Sequence, residues 1–198
     1  MRAFLIAFLL LCTPALATQD GWPALHDVTG VASDDVLNIR AEPSAGSEII
    51  GSFAPDATDI EVVRPNERQD WGLVNTAGGT GWVSLAFLER HPGQWDGAFP
   101  MLARCFGTEP FWNLAIDGDA ATFSTPEMSL DGSVVARLGS PNRRDRHGLR
   151  VALPEGRWIE GVISSEACND GMSDRAYGLA FDALREETVL SGCCSLSR

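Results

Sequence analysis

The stretch Cys168-Asn-Asp-Gly-Met-Ser-Asp-Arg-Ala-Tyr177 places a cysteine, a turn dipeptide and a run of polar side chains just before an alternating series, Tyr177, Leu179 and Phe181. Alternation with a period of two marks a half-buried β-strand, because successive side chains point to opposite faces. Working outward, two further pieces share its chemistry: Gly107-Thr-Glu-Pro-Phe-Trp112, preceded by Cys105, and Gly192-Cys-Cys194 near the end. The three pieces and Cys105 hold four of the five cysteines, and they delimit one domain over residues 99–198.

Strand-like runs fill that domain: Met101 to Phe106, Phe111 to Ile116, Ala121 to Ser124, Val134 to Leu138, Leu149 to Leu153, Trp158 to Ile163, Tyr177 to Asp182 and Thr188 to Cys193. Several alternate cleanly, with Trp112, Leu114 and Ile116 on one face and Leu149, Val151 and Leu153 on another. Asp117-Gly118 and Asp131-Gly132 are read as turns. A short helical turn fits Met172 to Ala176 or Leu184 to Glu187. The expectation is an all-β, β-barrel-like domain of about eight strands.

Residues 1–17 have a positive Arg2, an apolar run from Ala3 to Leu11 and an Ala15-Leu16-Ala17 cleavage site, the pattern of a secretory signal. Cleavage is expected after Ala17. Cys12 follows three leucines instead of the small residue a lipidation site needs, so it belongs to the signal. The apolar run is shorter than the roughly 20 residues that span a bilayer, and no membrane span is expected. All 15 basic residues are arginine, and 15 − 27 gives a net charge of −12. Such a chain repels phosphate backbones and anionic lipid, which disfavours nucleic acid and a peripheral membrane surface as partners. The basic knot Arg143-Arg-Asp-Arg-His147 reads as a solvated loop tip.

An even set of cysteines in an exported chain predicts disulfides. A Cys193–Cys194 bond would close a strained vicinal ring, so those two reach different partners, on opposite faces of one strand. Of the two remaining connectivities we adopt Cys168–Cys193 with Cys105–Cys194, the second joining the first and last strands of the domain. The spacing of cysteine and histidine matches no zinc site, and no metal or cofactor is expected.

The N-terminal half differs in texture. Residues 18–32 form a leader with a short strand at Val28 to Val31. From there Val36 to Arg40, Glu48 to Phe53, Asp59 to Arg64, Trp71 to Asn75 and Gly81 to Ser84 are short β-rich runs separated by Pro, Gly and Asp clusters, the punctuation of a small barrel. Residues 91–98, with Pro92, Gly93 and Gly97, have a linker's composition.

The motifs Leu37-Asn-Ile-Arg-Ala-Glu-Pro-Ser44, Ile49-Ile-Gly51, Trp71-Gly-Leu-Val74 and Gly81-Trp-Val-Ser84 resemble the bacterial SH3 (SH3b) family over residues 33–90. The resemblance implies an SH3-like small barrel and a binding module for cell-wall peptides or envelope proteins, with Arg40 and Trp71 as ligand-binding candidates. Trp71, Trp82 and Phe87 are read chiefly as its core. Gly72 stands where the family commonly carries tyrosine.

Glu109, Trp112, Asp170, Ser173, Asp174 and Arg175 are the candidates in the C-terminal domain: two carboxylates flanking an arginine can bind a ligand or act as acid and base. A structural reading of the same residues makes Asp170-Gly171 a turn, Ser173 or Asp174 a cap, and Arg175 a partner for Glu109. This half also resembles an uncharacterised bacterial envelope family with G-x-E-P-F-W, C-x-D-G-M-S-D-x-x-Y and terminal G-C motifs. That resemblance implies the Cys168–Cys193 pairing and export, and no activity. No nucleophilic triad or phosphate loop is present. The reading is therefore a non-enzymatic, exported, periplasmic binding or adaptor protein whose partner is a peptidoglycan peptide or an envelope protein. The alternative is a hydrolase of wall fragments using Glu109 and Asp170.

Overall fold

The computed structural model describes residues 19–197, so the expected signal and its cleavage site lie outside the described residues. The chain is all-β. Seven strands form an N-terminal sheet: β1 (Ala24–Val28), β2 (Leu37–Arg40), β3 (Ile49–Phe53), β4 (Ile60–Pro65), β5 (Trp71–Thr76), β6 (Gly79–Ser84) and β7 (Leu88–Arg90). Their order across the sheet is β3-β2-β6-β5-β4-β1-β7. Eight more, β8 (Arg104–Thr108), β9 (Phe111–Asp117), β10 (Ala120–Ser124), β11 (Ser129–Gly139), β12 (Arg146–Ala152), β13 (Trp158–Cys168), β14 (Tyr177–Arg185) and β15 (Thr188–Ser195), close into a barrel. Each pairs antiparallel with the next, and β15 returns to β8.

Closure removes the exposed edges an open sheet would leave. The alternating residues point inward and fill the barrel: Leu114, Phe123, Val151, Ile159, Ile163, Leu179 and Phe181 are almost wholly buried. Trp112, 4% exposed, lies among them against Phe181, with ring centroids 6.3 Å apart. Two glycines make room for its indole. A Cβ on Gly107 would meet Trp112 Nε1 at 2.2 Å, and one on Gly192 would meet Trp112 Cζ2 at 2.8 Å and the Phe106 carbonyl at 2.0 Å. The glycines of the G-x-E-P-F-W and terminal G-C motifs are thus the space into which that tryptophan packs.

Cys105 and Cys194 face each other in register across β8 and β15 and are bonded inside the barrel. Cys193 projects the other way and bonds Cys168, 5.6 Å away between Cα atoms, which pins the start of the Cys168–Tyr177 loop to the barrel wall.

Three local expectations change. Asp131 and Gly132 do not turn the chain; they lie inside β11 opposite Thr122 and Ala121, and the reversal falls at Thr125 to Met128. No side chain is tolerated at Gly132, where a Cβ would meet the Ala152 carbonyl at 2.2 Å. The helical turns also do not form: Met172 to Asp174 is a bend, and Leu184 and Arg185 end β14. The leader strand lies at Ala24–Val28, and it inserts between β4 and β7. It is buried on both sides, with Val28 in the N-terminal core and Leu25 in the barrel core, so it lacks the alternation that marks a one-sided strand.

Residues 91–98 are likewise tied down. The Gln94 side chain accepts from the Leu25 N–H at 2.7 Å and donates to the carbonyls of Leu25 and His91, while the Asp20 backbone bridges to Trp95. Arg90 lies over the Trp22 ring, 4.1 Å from its centroid, and donates to the Gly21 and Gln94 carbonyls. Among the described residues, no helix is long and apolar enough to cross a membrane.

Candidate functional site

The N-terminal sheet is filled by Val28, Leu37, Ile39, Ile60, Val62, Val74 and Val83. Trp71, Trp82 and Phe87 are absent from that buried set, which corrects the expectation that they form the core. Parity explains Trp82: it sits between Gly81 and Val83, both buried, so its side chain points the other way, where Arg64 covers it at 5.2 Å. Trp71 and Phe87 instead wall a groove of about 480 Å³ with Val36, Asp35, Arg40 and Ala45. Phe87 is 41% exposed there.

Both site residues are held by their loops. Asn66 Oδ1 accepts from the N–H groups of Asp70 and Trp71, and its amide donates to Asp70 at 2.7 Å, which sets the strand entry that aims Trp71. Arg40 Nη1 donates to the Ser47 carbonyl at 2.6 Å, and the Ser47 hydroxyl accepts from Glu42 N–H, so the guanidinium braces the 41–47 loop beside the groove.

Residues 35–89 match the bacterial SH3 domain family. No curated protein and no solved structure is significantly similar to the chain. Gly72, which stands where the resemblance led us to expect tyrosine, is tightly surrounded: a Cβ would meet Val62 Cγ1 at 2.6 Å and Leu85 Cδ2 at 2.9 Å. The aromatic walls of the groove come from Trp71 and Phe87 instead.

The second candidate cluster is assembled for a different task. Asp170 Oδ1 accepts from the N–H groups of Met172 and Ser173 at 3.0 and 2.9 Å. Its Oδ2 accepts from the Ser173 hydroxyl at 2.7 Å and from Tyr177 at 3.4 Å. Burial pushes this carboxyl up, but the hydrogen bonds from Ser173, Met172 N–H and Tyr177 outweigh it and hold Asp170 below the usual carboxylate range. A carboxylate with both oxygens engaged and a lowered affinity for protons is a loop brace and a poor acid or base at neutral pH.

Glu109 stands exposed in the tight turn between β8 and β9; that turn approaches the loop through Thr108, whose hydroxyl donates to the Asp170 carbonyl at 2.7 Å. The Glu109–Arg175 pair does not form, and Trp112 is removed from the candidates by its burial in the barrel. Asp174 lies against Gly79 of the SH3 domain, with its Cβ 3.5 Å from where a Gly79 Cβ would sit. Among the described residues, no group of three or more His, Cys, Asp or Glu side chains is placed to hold a metal ion.

The loop's other partner is the SH3 domain. Asn75 Nδ2 donates to the Ala176 carbonyl and Asn75 Oδ1 accepts from the Ala176 N–H, both at 2.9 Å, so a side-chain amide pairs with the loop as a strand would. One strand over from Asn75, Glu61 of β4, 7% exposed, takes Ser195 Oγ at 2.5 Å, Leu196 N–H at 3.1 Å and Ser197 N–H at 3.3 Å on its Oε2. Burial raises its carboxyl against the lowering effect of those hydrogen bonds. Sequence reasoning missed both residues. The available signal for Glu61 was a lone charge inside the apolar run Ile60-Glu-Val-Val63.

Proposed function

We propose that the protein is a non-enzymatic, exported binding or adaptor module that acts at the cell wall or on an envelope protein, and that its ligand enters the SH3 groove between Trp71 and Phe87. The observation that carries this reading is the convergence of Trp71, Phe87 and Arg40 on one groove of about 480 Å³ in a domain whose family is a binding family. Ring walls offer apolar and stacking surface, and the guanidinium beside them favours a ligand carrying carboxylate. Two disulfides support an oxidising compartment. The hydrolase alternative is the weaker reading, because Asp170 is committed to its own loop.

Sedimentation with purified peptidoglycan tests this reading. The wild type should co-sediment without releasing fragments, and Trp71→Ala and Arg40→Gln should each lower retention several-fold. Fragments released by the wild type and abolished in Glu109→Gln would establish the hydrolase instead. Retention unaltered by either groove substitution would remove the groove from the function.

A further inference from the structure

The N-terminal sheet has two edges, and they are built differently. β7 carries the exposed Glu89, a charged side chain of the kind that usually protects an edge from pairing. β3 at the other edge reads Ile49-Ile-Gly-Ser-Phe53, with no charge and no proline, and pairs with β2 alone among the described strands. Ile49 and Ile50 are 53% and 42% exposed on it. In a chain with 42 acidic and basic residues, obtained as 15 + 27, an uncharged edge presents main-chain donors and acceptors with no guard.

A second groove of about 520 Å³, distinct from the Trp71 groove, takes in residues 50–53 of β3 and Ile39 of β2, together with Asn75, Thr76 and Arg175. Arg175 comes from the barrel. The paired hydrogen bonds between Asn75 and Ala176 hold its backbone at the groove wall. Among the described residues its guanidinium makes no ion pair and no hydrogen bond; its backbone N–H alone is engaged, by Ser173. The groove thus has an open strand edge, apolar side chains and an uncompensated cation, and the cation is the one lining residue that comes from the C-terminal half.

We propose that this groove binds an extended peptide segment by strand addition to β3, with the free C-terminal carboxylate of the segment held by Arg175. Main-chain pairing supplies affinity in this mode of recognition, and the cation selects the carboxylate. The reading gives the Cys168–Tyr177 loop a purpose: Asp170, the Cys168–Cys193 bond and Asn75 together present Arg175. The site is separate from the Trp71 groove, so either can fail without the other.

The experiment uses the chain from residue 19 onward labelled with nitrogen-15 and two hexapeptides of alternating threonine and valine, identical except that one has a free C-terminal carboxylate and the other a C-terminal amide. The peptide with the free carboxylate should shift the amide signals of residues 49–53 and 75–77. Arg175→Gln, an exposed change that leaves the fold's melting temperature in place, and the amidated peptide should each weaken binding about tenfold, the loss of one charge-assisted pair. Binding unaltered by Arg175→Gln, shifts confined to Arg40 and Trp71, or no binding would overturn the proposal. Dimerisation of the peptide-free chain through β3, seen as concentration-dependent shifts of the same amides, would also overturn it, since the edge would then belong to a second copy.

Discussion

Replacing Glu61 with alanine is expected to lower stability by about 3 kcal/mol at pH 7. The side chain receives the C-terminal strand: Ser195 Oγ, Leu196 N–H and Ser197 N–H all point at its Oε2. Loss of the acceptor affects them unequally. Ser195 Oγ has a second acceptor in the Ser197 carbonyl at 3.0 Å, and Ser197 is only half-buried, so water can serve it. Leu196 is 4% exposed, and its N–H would be orphaned at a cost of about 1–3 kcal/mol. The cavity left by two methylenes adds about 1–2 kcal/mol, and relief from burying a carboxylate subtracts part of the sum. Glu61→Gln keeps a carbonyl acceptor without the charge and should stay within about 1 kcal/mol of the wild type.

The same site fixes the sign of a pH effect. A carboxyl raised in the folded state binds its proton where the unfolded chain does not, so its contribution to stability grows as pH falls from the raised folded value towards the unfolded 4.5 and declines as pH rises through that window. Urea denaturation at several pH values, followed by tryptophan fluorescence, reads both effects. Equal stability of the Ala and Gln variants, or a pH slope in Glu61→Ala identical to the wild type's, would refute the assignment of Glu61 as the acceptor for the C-terminal strand.

His26 acts in the opposite direction: burial, with Arg90 nearby, lowers it to about 4, so stability should fall by at most about 3 kcal/mol between pH 6.5 and 4 as the unfolded chain takes up the proton, and His26→Gln should flatten that limb of the profile. The disulfides span 89 and 25 residues, for which loop entropy predicts about 4–5 kcal/mol for Cys105–Cys194 and about 3–4 kcal/mol for Cys168–Cys193; paired serine variants in guanidinium melts should rank in that order. Gly192→Ala drives a Cβ into the Phe106 carbonyl and the Trp112 ring and should cost about 3 kcal/mol or more, visible as a lowered melting temperature and a changed Trp112 near-ultraviolet signal.

Much of the barrel was legible because a closed antiparallel sheet writes its inside and outside into alternate residues. Each of the eight expected runs overlaps one of β8 to β15. The same logic failed for β1, where burial on both faces erased the alternation, and for Asp131-Gly132, where a glycine needed for close strand approach looked like a turn. The core reading of Trp71 failed for a related reason. A large aromatic ring is ordinarily core, yet here small β-branched residues fill the N-terminal sheet and leave the ring to wall a groove.

Composition and local period carried the strand content, the SH3 segment, the acidic charge and the need for two sulfur bridges, since these depend on residues near one another in the chain. The union of the N-terminal sheet with the barrel is of another kind. Asn75 meets Ala176 across 101 positions and Glu61 meets Ser195 across 134, and neither pairing leaves a local trace. Hydrogen-bond partners at that separation are chosen by the shapes of two finished sheets. The loop read from the sequence as a cluster of ligand-binding candidates therefore became, in three dimensions, an arm that sets Arg175 beside residues 50–53 of β3.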